Sequence, residues 1–141
     1  MFSRILKQLL VPVLPLLLFT AGLHAAPPVP PQVRTEIEAL LSALEVSSCR
    51  FNRNGSWHAA PEAKRHLLRK LEYLEDKHGV QNTEQFIDLA ATASSTSGRE
   101  YLVQCGETEP LSSRQWLLAQ LATIRSAADL SGPDPAFQNR P

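Results

Sequence analysis

His66, Lys70 and Tyr73 recur at i, i+4 and i+7, so on a helix they form one stripe, with Glu62 one turn before His66. A half-buried imidazole beside a carboxylate titrates near neutral pH and can serve as a general base. The same ring hydrogen-bonded to Glu62 or to backbone is a structural group with no catalytic role. Base catalysis also needs a nucleophile, and the candidates are the hydroxyls of Ser95 and Ser97 in the run Ser94-Ser95-Thr96-Ser97-Gly98-Arg99. That run could instead hold a phosphate or carboxylate through its hydroxyls, Gly98 and Arg99. It follows a predicted helix C-terminus, where the dipole repels anions, and it lacks the glycine spacing of a phosphate-binding loop. No serine in the run sits in a Gly-x-Ser-x-Gly elbow or a Ser-x-x-Lys arrangement. The plainer reading is a turn whose Ser and Thr groups cap the preceding helix.

A third group of residues lies before the stripe. Cys49-Arg50-Phe51-Asn52-Arg53 alternates, Asn54-Gly55 is a strong hairpin signal, and Ser56-Trp57-His58 makes the return strand. A two-residue turn sets Arg53 opposite Ser56, Asn52 opposite Trp57 and Phe51 opposite His58. Cys49 and Phe51 then share the buried face, while Arg50, Asn52 and Trp57 share the other. An exposed Trp57 beside an arginine could stack a sugar ring, a peptide or a cation; otherwise it covers a helix edge. The binding candidates are therefore Arg53, Trp57, His66, Lys70, Ser97 and Arg99. His58, His66 and His78 are too widely spaced to suggest zinc, no Cys-x-x-Cys is present, and no cofactor loop is recognisable.

The elements that position these residues follow from periodicity. A first helix carries Ile37, Leu40, Leu41 and Leu44 on one face, with Thr35 and Glu38 as a capping-box pair. The second runs from about Pro61 to His78, with Gly79 as its left-handed stop and Ala63, Leu67, Leu71 and Leu74 as its core stripe. Asn82 with Gln85, or Thr83, opens a third short helix carrying Phe86, Leu89, Ala90 and Ala93. A strand follows over 99–105, with Tyr101, Val103 and Cys105 on one side. Pro110, Ser112 and Gln115 start a final helix that buries Leu117, Leu121 and Ile124. The order predicts a small α+β domain of about four helices covering one face of a two- to three-stranded antiparallel sheet.

Composition narrows the function further. The 141 residues include 14 Lys+Arg against 14 Asp+Glu, so nothing in the overall charge suggests nucleic-acid binding. Arg4 and Lys7 precede an apolar stretch, Leu9 to Ala21, of roughly 13 residues, the pattern of an export signal. Processing is expected after Ala25. It leaves a mature chain of net charge about −2 by removal of Arg4 and Lys7, with no second apolar segment to span a membrane. The expected organisation is a signal peptide over 1–25, a proline-rich lead-in over 26–32, the folded domain over 33–128 and a flexible tail over 129–141. Cys49 and Cys105 are the only cysteines, and an even count in an exported chain implies a disulfide between them.

The run from Cys49 to His58, followed by Glu62-Ala63, His66-Leu67 and Lys70, is similar to the signature of YfeK-like proteins, a family of small exported bacterial proteins of unknown function. Glu84-Gln85-Phe86-Ile87 and the stretch from Ser94 to Val103 also resemble that family's pattern. The resemblance extends from about Ile37 to Ile124, with Glu100 standing where the pattern has Pro or a similar residue. It implies a gamma- or beta-proteobacterial envelope setting and a periplasmic address. It also groups Arg53, Asn54, Gly55, His66, Lys70, Ser97 and Gly98 in one pattern, but brings no activity, cofactor or catalytic residues.

Together these readings favour a periplasmic, non-catalytic binding or accessory module. Its partner would be an envelope protein or a cell-wall fragment, with no nucleic acid involved. The alternative is a small periplasmic hydrolase with His66 as base and Ser95 or Ser97 as nucleophile. Both readings expect the hairpin, the His66 stripe and the serine run to converge on one surface.

Overall fold

The computed structural model describes residues 28–132 except His78. The expected signal peptide, the start of the lead-in and residues 133–141 of the tail lie outside them. The domain is built from α1 (Pro31–Val46), β1 (Cys49–Arg53), β2 (Ser56–Ala59), α2 (Ala60–Lys77), α3 (Thr83–Phe86) with a π-helical continuation (Ile87–Ala91), β3 (Leu102–Cys105), β4 (Leu111–Ser112) and α4 (Ser113–Leu130).

α1 begins earlier than the Thr35–Glu38 pair suggests. Pro31 is at its first turn, where a fixed φ and a missing N–H cost nothing. The pair does not cap it: Thr35 Oγ1 donates to the Pro31 carbonyl at 3.0 Å, and Glu38 pairs with Arg34 at 3.7 Å. Ile37, Leu40, Leu41 and Leu44 are buried as the helical spacing requires. This face packs on α2, α3 and α4, while α2 reaches β1 and β2, and α4 reaches β3 and β4.

The sheet is antiparallel throughout, in the order β2-β1-β3-β4. Its fourth strand is one more than the sequence predicts. β4 is two residues long, pairing Leu111 with Val103 and Ser112 with Leu102, too short to leave an alternating pattern. The hairpin has the expected register: Arg53 opposite Ser56, Asn52 opposite Trp57 and Phe51 opposite His58. Asn54 and Gly55 have φ of 54° and 89°, the positive values at both central positions that a type I′ turn demands. Phe51 is buried on the helix side and meets Trp116 of α4 edge to face, with ring centroids 5.6 Å apart.

β1 and β3 are joined covalently. Cys49 and Cys105 are paired across the ladder with Cα atoms 4.1 Å apart, and a disulfide links them. Among the described residues no helix is long and apolar enough to cross a membrane.

Past Asn82, whose side chain accepts the Gln85 amide at 2.8 Å, the third helix departs from α-helical spacing. The chain widens into a π turn, so Ile87 and Ala91 join Phe86 and Ala90 in the core while Leu89 stays 46% exposed. The expected buried stripe therefore fails at Leu89, and Ala93 is only half-buried. One residue added to a turn rotates every later side chain around the axis.

Candidate functional site

Arg53 ends β1 on the same face as Cys49 and Phe51, so the alternation that buries Phe51 also carries this cation inward. It meets His66 of α2, with Nη1 2.7 Å from the imidazole Nδ1. A guanidinium only donates, so Nδ1 accepts and the ring proton must lie on Nε2. Nε2 is 3.3 Å from the hydroxyl of Tyr101, to which it donates. His66 is thereby fixed in one tautomer between a cation and a phenol, with its ring edge-on to Tyr101 at 6.0 Å.

Lys70, one turn on, donates to the Ala93 carbonyl at 3.3 Å and lies over the Tyr101 ring, 5.2 Å from its centroid. Tyr101 is placed by two closures of the chain around the serine run. Its amide donates to the Thr92 carbonyl at 2.9 Å, and Ala93 bridges to Glu100. Inside this closure the Ser94 amide donates to the Arg99 carbonyl and the Gly98 amide to the Ser94 carbonyl, both at 2.8 Å. Gly98, at φ 69°, allows the reversal. Ser97 Oγ reaches across to donate to Asn54 Oδ1 in the hairpin turn at 2.6 Å. Arg99 lies over the same turn, with Nη1 3.8 Å from where a Cβ on Gly55 would stand.

The hairpin, the His66 stripe and the serine run thus touch one another, but they do not present the six binding candidates together. Arg53, His66 and Lys70 form the inner cluster, and Ser97 and Arg99 border the turn. Trp57 sits on the other face of the sheet, where Arg50 stacks on it at 5.3 Å. Ser95 is exposed on the loop. Glu62 is not the partner of His66; it takes His58 instead, at 2.8 Å. Tyr73 is 59% exposed.

A cleft opens beside the inner cluster. It is lined by Arg53, His58, Glu62, His66, Arg69 and Tyr101 among others, and about 50 Å³ is accessible to the centre of a water-sized molecule. That is room for about three or four waters or one small chemical group. Its walls are basic. Burial, and then the charges of Arg53, Lys70, Arg69 and His58, pull His66 down to about 4; an imidazolium would stand against a guanidinium at hydrogen-bond distance. Burial, followed by Arg53, also lowers Lys70. Burial raises Tyr101, against the opposing pull of Arg53 and Ser94. Among the described residues no three His, Cys, Asp or Glu side chains gather to hold a metal.

Sequence reasoning missed Tyr101 as the partner of His66, although its burial was legible in the alternation of 99–105. It also missed Arg69 at the cleft and the polar cluster of Arg125 with Glu36 and Glu84, which joins α4 to α1 and α3 at 2.5–3.2 Å. The Arg125 hydrogen bonds hold both carboxyls below the usual carboxylate range.

These shifts set an acid limit on stability. An unfolded chain protonates His66 near 6.5, while the folded one resists until about 4. The unfolded state binds more protons between those values, so stability falls as pH drops through that window. Glu36 and Glu84, depressed in the fold from 4.5, add a further loss below that value. We expect the His66 contribution to be on the order of 1–2 kcal/mol after allowing for solvent screening of the half-buried ring. Urea midpoints at pH 7, 5.5 and 4 measure it, and His66→Gln should flatten the upper part of the profile.

The fold and the site together define a small disulfide-linked α+β domain with a basic cleft between a hairpin and a helix. The chain belongs to a family of unknown function, DUF5329, whose pattern matches residues 31–125. It is similar to the uncharacterised protein YfeK of Salmonella typhimurium (strain LT2), 39% identical over 66 residues, which cover 46% of this chain and 53% of that protein. The match thus spans about half the length of that relative. The resemblance read from the hairpin signature and the serine run is borne out. No solved structure matches the chain.

Proposed function

We propose that the protein is exported to the periplasm and acts there as a non-catalytic binding or accessory module, with the Arg53–His66–Tyr101 cleft as its ligand site. An envelope protein or a cell-wall fragment is the partner. Export is supported by the signal-like first 25 residues and by a disulfide, which persists in an oxidising compartment.

One observation carries the non-catalytic reading: both nitrogens of His66 are engaged, Nδ1 by Arg53 and Nε2 by Tyr101. A general base needs a free lone pair aimed at the proton it removes. Here the only lone pair points at a guanidinium, and a pKa of about 4 makes the ring a weak base. The hydrolase reading needs Ser95 or Ser97 at that lone pair, whereas Ser97 donates to Asn54.

The test is to incubate the mature domain with peptidoglycan fragments and fractionated envelope extract, following melting temperature and product formation together. The expected result is a fraction that raises the melting temperature, is recovered unchanged, and loses its effect in Arg53→Lys. Turnover abolished by His66→Ala or by Ser97→Ala overturns the reading in favour of the hydrolase.

A further inference from the structure

We infer that the cleft recognises a terminal oxyanion, a carboxylate or a phosphate, on its ligand; this rests on the cleft being a binding site.

The charge distribution carries the argument. Chain-wide, basic and acidic residues balance, but the cleft does not share that balance. Arg34, Lys64, Arg114 and Arg125 each have a carboxylate partner. Among the described residues, no carboxylate lies within ion-pair distance of Arg53, Arg69 or Lys70. The one carboxylate at the cleft, Glu62, is taken by His58.

Arg53 is half-buried and donates to a neutral ring; Lys70 is half-buried and donates to a backbone carbonyl. Neither partner neutralises its charge, and cations withdrawn from water without a counter-charge are costly. The guanidinium has further donors in a planar fork that suits the paired oxygens of a carboxylate or phosphate. The size of the cleft agrees, since it admits one small group and not a whole sugar ring. A nucleic-acid backbone fits poorly, because the chain has no net positive charge.

The test uses matched acid and neutral probes at constant ionic strength, each titrated into the oxidised protein by calorimetry. An N-acetylated dipeptide with a free C-terminal carboxylate is compared with its amide, and glucose 1-phosphate with glucose. The expected result is that at least one acid binds saturably while its neutral counterpart does not, which also separates the carboxylate from the phosphate source. Arg69→Met, at an exposed position on the cleft wall, should weaken that binding by about tenfold, and Lys70→Met, at a residue that stacks on the Tyr101 wall without itself lining the cleft, by a smaller factor. Arg53→Lys, which keeps the charge but loses the fork, should weaken it too.

Two results overturn the inference. One is that neither acid binds better than its neutral counterpart. The other is equal binding by wild type and the Arg69→Met/Lys70→Met double variant. If an envelope fraction still stabilises the protein under either result, the binding-module reading survives and only the oxyanion is lost. If the wild type consumes a probe, the binding-module reading itself fails.

Discussion

Replacing Cys49 and Cys105 together by serine, or reducing their disulfide, should destabilise the domain by about 4 kcal/mol. The bridge closes 56 residues of chain, including all of β2, α2 and α3. Most of its effect is to deny the unfolded chain the freedom of that loop. The loss is close to the whole stability of many small domains, so the melting temperature should fall by about 20 °C or more. The site should suffer as well. The bridge secures the β1–β3 pairing, which sets Phe51 opposite Val103 and so brings Arg53 toward Tyr101. Thermal and urea unfolding with and without reductant measure the effect. A loss below about 1 kcal/mol would mean that the sheet and its helices hold without the staple.

Phe86→Ala should cost about 3–5 kcal/mol, whereas Leu89→Ala should change stability by no more than about 0.5 kcal/mol. Phe86 is fully buried where the α-helical turn passes into the π turn, while Leu89 faces water. An unbroken α-helix with the stripe Phe86, Leu89, Ala90 and Ala93 predicts a substantial cost at both positions. The contrast therefore reports the helical register directly. It bears on function because the π turn leads into Thr92 and Ala93, whose carbonyls accept the Tyr101 amide and Lys70. Urea unfolding of the two variants decides it.

The parts of this molecule governed by local rules were legible in its sequence. Asn54-Gly55 fixed a two-residue turn, the turn fixed the register, and the register placed Phe51 inward and Trp57 outward. The same alternation continues to Arg53, yet nothing local says what an inward arginine meets. Its partner His66 is 13 residues away, and the partner of His66, Tyr101, is 35 further on. That second contact depends on how the serine run closes, which periodicity does not encode. Glu62 illustrates the limit from the other side. Helical spacing offers it His66 at i+4, but the return strand delivers His58 at the same distance in sequence, four residues before it. The basic cleft was hidden for a related reason: a neutral count of charges says nothing of which side chains the fold brings to one cleft.

The most direct test of this account is the protonation of His66, followed by nitrogen and carbon chemical shifts of the labelled imidazole from pH 3.5 to 8. The account predicts a neutral ring at pH 7 with its proton on Nε2, and a titration midpoint near 4. Arg53→Gln, which removes the adjacent charge, should move that midpoint upward. A midpoint at 6.5 or above, or a proton on Nδ1, would mean that Arg53 does not hold the ring. His66 would then be available as a base, and the reading of the cleft as a binding site without catalysis would be contradicted.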